Sequence, residues 1–337
     1  MFPLMMVIIL IGTYIPALGS PEPNGIAVGV AGVDEGVVAA YQASIGDDVE
    51  FKLLSSAEEA RQQVEDQKIG AALVVAPEAT DLEAGTAYSS VVTVGDPTGV
   101  IYVATAAGSQ RASRSALLLQ DFALANGIES AGRNLVTTAP DDLAGIGSMF
   151  FALGMTLFAF SAIPSLGRVP NLFTVKGLAM VMAIMGAVVS VWVWVITHVI
   201  VGAVDGPFLP IFVTGMLTVF AVGYGSAFLT RLVGPMSILV ALFLFIAMGI
   251  TSSGASVPID FTPGLYQFFH MILPFTASNT AIRNAIYFDG ADLWQNWMVL
   301  AIWVVVMAAA FELMGRRQAR AHDGGTAELA AAGTAVV

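Results

Sequence analysis

Few residues of this 337-residue chain have the type and spacing to do chemistry. The three histidines, His198, His270 and His322, lie far apart, and none has the short spacing that puts metal ligands on one face. Cysteine is absent, so a disulfide framework, a thiolate nucleophile, an iron–sulfur cluster and a thiolate zinc site are all excluded. No Gly-x-x-x-x-Gly-Lys-Ser/Thr loop occurs, and Lys176 has no glycine-rich phosphate cradle beside it, so the chain is not expected to hydrolyse ATP. No cofactor is expected. Two residues stand out. His270 lies on a short apolar stretch and reads as a satisfied interfacial side chain, or else as a ligand or pH switch. Arg283 could bind a lipid phosphate, pair with Asp289 or cap a helix end.

The elements that must position these residues divide by polarity. The chain is 57% hydrophobic and 11% charged, with a mean hydropathy of +0.80, against about 25% charged for a soluble domain. An ordinary soluble enzyme is thereby excluded. Residues 20–145 hold eighteen acidic and six basic side chains and so carry the entire net charge of -12. Such a block, followed by a mostly apolar remainder, reads as a soluble domain inserted in a membrane protein. Its acidity argues against nucleic acid and anionic lipid as its partners.

Within the block, strands are expected at 26–31, 49–54, 71–76 and 89–94, and helices at 35–44 and 56–67. Ser56 and Glu59 have capping-box spacing. Alternation of strand and helix implies a small α/β domain with a parallel sheet. A long helix, about 40 Å, is expected over 99–126, with Gly127 as its C-terminal cap.

Five stretches, 146–166, 177–201, 208–229, 234–251 and 293–314, are essentially uncharged, with Glu312 near the end of the last, and are long enough to cross a bilayer. Residues 2–18 form a sixth, shorter one, read as a retained first helix (1–19). A cleaved signal peptide is the competing reading, although no basic residue precedes the stretch, which also hints at a start further upstream. The expected architecture is therefore an α-helical polytopic membrane protein of six transmembrane helices. An extracytoplasmic α/β domain (20–145) precedes a five-helix domain (146–314), and a disordered cytoplasmic tail (315–337) follows. Arg168, Lys176, Arg231, Arg316, Arg317 and Arg320 all fall on one side, which the positive-inside rule makes cytoplasmic, with both termini. Segment 252–292 holds an apolar run of nine residues, 265–273, too short to cross, so it is expected to be re-entrant or interfacial. Asp141 and Asp142 are placed to cap the helix entering the second span, and Glu312 to pair with Arg316.

This order of one span, a large outer domain and five further spans resembles type-2 ABC permeases and the related phage-infection-protein-like membrane proteins. The resemblance covers nearly the whole chain. It is carried by VEFKLLSSAEEARQQVEDQKIGAALVVAP at 49–77 and by SSGASVP, PGLYQFFHMILP and AIRNAIYF within 252–288. It implies a permease subunit that dimerises with itself or a second permease and works with a separate ATP-binding-cassette subunit. The cargo would be hydrophobic or envelope-bound, moved outward across the plasma membrane. On that reading the loop bearing Arg168 and Lys176 would engage the ATPase, and His270 and Arg283 would lie at the substrate exit or touch lipid. The alternative is a membrane-anchored scaffold or receptor whose outer domain binds an envelope or secretion partner. An intramembrane enzyme is disfavoured, because no buried acid–base pair or metal cluster is apparent.

Overall fold

The computed structural model describes residues 2–18, 22–92, 97–166 and 172–334. Most of the chain is helical, with a separate six-stranded sheet of order β2-β1-β3-β5-β6-β4. Its strands are β1 (Ile26–Ala31), β2 (Val49–Leu54), β3 (Ala71–Val75), β4 (Thr86–Ala87), β5 (Gly99–Ala104) and β6 (Ser130–Val136). Helices α2 (Glu35–Ile45) and α5 (Ser109–Ala125) cover one face and α3 (Ala57–Glu65) the other. The period of two along β3 and β5 decides which side chain goes where. Leu73, Ile101 and Val103 pack with Leu119 and Phe122, whereas Val74, Val100 and Tyr102 pack with Ala60 and Val64. Ser56 Oγ accepts from Glu59 N at 3.1 Å and starts α3, but the Glu59 carboxylate reaches back to Ser55 instead.

Three expectations for this domain need correction. The sheet is mixed: β1 runs parallel to β2 and β3, and β5 to β6, while β3/β5 and β4/β6 are antiparallel. Among the described residues between β3 and β5 the elements are the five-residue α4 (Ala79–Glu83) and the two-residue β4, and a parallel return needs a full crossover, usually a helix. The long helix over 99–126 is in fact β5, a 3-10 turn and α5. The run Val100–Val103 is β-branched and aromatic and lies buried on both faces, where continuous apolarity does not distinguish strand from helix. Gly127, at φ +70°, does follow the end of α5. The strand expected at 89–94 is turn and irregular backbone as far as residue 92, and its last two residues lie outside the described ones.

Among the described residues, four helical stretches are long and apolar enough to cross a membrane: Gly147–Ser165, Val175–Ile200, Phe208–Thr251 and Leu293–Gln318. The third folds back on itself. Helix α8 (Phe208–Val233) ends at Gly234, at φ +56°, and the chain returns through α9 (Ser237–Ala241), a π-helical stretch (Leu242–Ala247) and α10 (Met248–Thr251). Phe245 lies against Gly225, and Thr230 Oγ1 is 3.4 Å from Ser237 Oγ, so this arm is antiparallel to α8. Helices α6 (Gly147–Ser165) and α7 (Val175–Trp194, extended by a π-helical turn to Ile200) pack on α8. The crossing of α7 and α8 uses small residues: a Cβ on Gly215 would meet Ser190 Oγ at 2.8 Å, and one on Gly186 would meet Val219 at 3.2 Å. Helix α1 (Phe2–Leu18) is 17 residues long, and its Ala17 is buried against Met248, Tyr266 and Leu273.

Arg231 gathers the end of the bundle away from the sheet. It donates to Phe311 O (2.6 Å) and Phe173 O (2.9 Å) and lies over both rings. At this end too, Glu312 and Arg316 pair at 3.0 Å. Helix α13 (Leu293–Thr334) runs on past the last span as far as Thr334, and residues 335–337 of the expected tail lie outside the described ones.

Candidate functional site

Helices α11 (Gly264–Ile272) and α12 (Pro274–Tyr287) form a hairpin beneath the sheet domain. Pro274 separates the two helices and begins α12, where its missing N–H costs nothing. Ile272 O at the tip accepts from Trp303 Nε1 (2.6 Å), ten residues into α13 and so about 15 Å along its axis from Leu293. On the way down, Tyr266 Oη donates to Thr13 O of α1 (2.9 Å). On the way back, Thr218 Oγ1 donates to Ser278 Oγ (2.8 Å) and Ser148 Oγ to Asn279 Oδ1 (2.9 Å). The hairpin thus enters the bundle and returns.

Its open end meets the sheet domain along a polar seam. Arg111 of α5 donates Nε to Asp260 Oδ2 (2.8 Å) and Nη1 to Gln67 O (3.2 Å). Gln67, at φ +60°, sends Nε2 to Asn284 Oδ1 of α12 (3.1 Å). Such left-handed backbone is uncommon for a residue other than glycine and follows here from the turn after α3. Asn24 Nδ2 donates to Thr262 O (2.8 Å), and Gln267 Nε2 to Asn24 O (2.8 Å). Phe261 completes the attachment by joining the sheet-domain core.

His270 and Arg283, 13 positions apart, come close enough for the charge of Arg283 to act on the imidazole. His270 Nδ1 lies 2.7 Å from Ser252 O, an atom that only accepts, so the proton sits on Nδ1. Burial and the nearby Arg283 press its pKa below the usual range, against the opposing pull of Ser252 O and Asp260. Neither residue belongs to the four long apolar stretches. Arg283 is 7% exposed, and among the described residues its guanidinium donates only Nη1, to Ala107 O at 3.3 Å. Burial, with Arg111 beside it, pulls its pKa down to about 10. The pairing with Asp289 considered from the sequence does not form. Asp142 is close enough to act on the guanidinium electrostatically, yet both its oxygens are engaged, with Ile146 N (2.9 Å) and Gly147 N (2.8 Å), as the cap expected for α6. Tyr287 Oη accepts from Ala139 N at 3.3 Å, across the same seam.

The other two candidates lie at the far end. Lys176 is exposed in the first turn of α7, which Thr174 caps, and Arg168 lies outside the described residues. Beside this end, a cleft of about 550 Å³ is lined by Phe160, Ser161, Ser165, Thr230, Ser237 and Ile238. Sequence reading missed Gln67, Arg111, Asn279 and Asn284. One signal was available for the α12 pair: Asn279, Arg283 and Asn284 fall on adjoining helical positions in a largely apolar region, where amides and guanidiniums require partners. Comparisons with protein-family models, with curated proteins and with solved structures return no match for this chain.

Proposed function

We propose that this chain is the permease subunit of an ABC-2-like export system, with the ATPase on a separate chain and a hydrophobic or cell-envelope substrate. In this reading six helices cross the plasma membrane: α1, α6, α7, α8, the α9–α10 arm and α13. Both termini are cytoplasmic, the sheet domain is extracytoplasmic, and the working unit is a dimer with itself or a second permease. The chain carries no chemistry of its own.

The observation that carries the reading is the α11–α12 hairpin. It reaches about 15 Å into the bundle, holds a buried arginine, and is bonded to the sheet domain from Asn284 to Gln67, from Gln267 to Asn24 and from Arg283 to Ala107. Movement of the outer domain would therefore reach the outer ends of the spans, where a substrate leaves the bilayer. The cleft beside Ser161 and Ser165 gives an amphiphile an opening at the other end. The loop of Arg168 and Lys176 would meet the ATPase there.

The test is reconstitution with a co-purifying ATP-binding-cassette subunit and measurement of ATP-dependent export. Arg283→Ala is expected to lower export more than Arg320→Ala, because Arg320 lies on the exposed face of the far end of α13. Wild-type export by both variants at matched expression would remove the exit role. Co-purification of envelope or secretion proteins with no ATPase would establish the scaffold reading instead.

A further inference from the structure

Arg283 presents an empty fork. Among the described residues its Nε and Nη2 have no hydrogen-bond partner, although the side chain is almost wholly buried. Those two N–H groups leave the guanidinium side by side, on the edge that grips two oxygens of one carboxylate or phosphate. Nearby acids are already engaged, Asp142 with two backbone amides and Asp260 with Arg111. An unpaired buried guanidinium is costly, and the cost falls sharply when an anion supplies the missing acceptors.

The fork lies at the start of a helix. Ala107, which holds Nη1, precedes Gly108, the N-cap of the 17-residue α5, and no side chain caps that end. Ala112 N is bonded back to Gly108 O. The amides of Ser109, Gln110 and Arg111 precede it, in the first turn, where a helix offers N–H groups and positive potential to an anion. A Cβ on Gly108, at φ +136°, would meet only Arg111 Cβ, at 3.7 Å.

We propose that the Arg283 fork and the first turn of α5 form a site for a phosphate group, either free or on a lipid headgroup, at the seam between the sheet domain and the hairpin. In the closed seam Nε and Nη2 are shielded from solvent, so the anion enters when the sheet domain tilts away from α12. The site uses the arginine that the transport reading places at the exit, but its test reads binding rather than export, so either can fail without the other.

The test uses the full-length protein in neutral detergent, with tryptophan fluorescence reporting the melting temperature. Inorganic phosphate, short-chain phosphatidylglycerol and the matching diacylglycerol are titrated separately, with sodium chloride as the ionic-strength control. A saturable rise of a few degrees, the linkage effect of a ligand that binds the folded state, is expected with phosphate or phosphatidylglycerol and is lost in Arg283→Met. A rise with phosphate identifies a free anion, and one with phosphatidylglycerol alone identifies a headgroup. Equal rises with sodium chloride or diacylglycerol, an undiminished rise in Arg283→Met, or no rise at all would overturn the site. Should Arg283→Met fail to fold, Ser109→Cys in this cysteine-free chain gives a second readout. Its alkylation by N-ethylmaleimide is expected to slow several-fold at saturating concentrations of the ligand found, and an unchanged rate would overturn the site.

Discussion

His270 couples the hairpin to pH through its neutral form. Its Nδ1–H is committed to Ser252 O, and the charge of Arg283 opposes a second proton. An unfolded chain takes up that proton near 6.5, while the folded protein does so only at lower pH. Over that window the unfolded state binds more protons, so stability is retained above 6.5 and declines as pH falls below it. His270→Gln keeps a donor for Ser252 O but does not titrate. Its melting temperature is therefore expected to fall less than that of wild type between pH 7.5 and 5.5, and parallel curves would contradict the linkage. At this scale the sequence was partly legible. A histidine and an arginine among apolar neighbours were visible as exceptions, but their proximity was not. The partners Gln67 and Arg111 belong to a polar domain where such residues are ordinary, and Gln67 reaches Asn284 of α12 across 217 positions of chain while Arg111 reaches Asp260, ahead of the hairpin, across 149.

Helix boundaries were easiest to read where a side chain closes the end. Asp142 satisfies two amides at the start of α6, and Ser56 one at the start of α3. Such caps are local, so a sequence declares them. Replacing Asp142 by alanine is expected to cost about 1 kcal/mol through loss of the cap, observed as a lower melting temperature. Asp142→Asn, which keeps an acceptor, is expected to lose less. Equal losses would show that charge rather than capping is what the site requires. The strands β5 and β6 were not legible for the opposite reason. Gly99–Ala104 is apolar on both faces because the strand is central, and Ser130–Val136 carries Gly132, Arg133 and Asn134, which suit a strand only because β5 and β4 pair with it. Asn134 also returns its amide to Thr105 and accepts from Thr105 N, fixing the turn between β5 and α5. Packing that depends on a partner strand leaves no periodic mark in the strand itself.

At the scale of the molecule, the sheet domain lies at one end and Lys176, Arg231 and Arg316 lie at the other. Helix α7 with its π-helical turn runs for 26 residues from Val175 to Ile200, about 39 Å at 1.5 Å per residue and so close to the thickness of a bilayer with its headgroups. Lys176 is exposed at its start, while Asp205 follows its far end. Gly264 and Asp289, at the open end of the hairpin, are also exposed and lie on the side of the sheet domain. The absence of cysteine makes single substitutions clean probes of these positions. Gly264→Cys and Asp289→Cys are expected to react in intact cells with a membrane-impermeant maleimide added from outside. Lys176→Cys is expected to react only after the cells are opened, and reporter fusions at Gly324 and within 70–83 are expected to report opposite sides. Labelling of Lys176→Cys in intact cells while the other two stay protected would invert the topology. Labelling of all three would mean that α7 does not separate two compartments, and the six-span arrangement would fall with it.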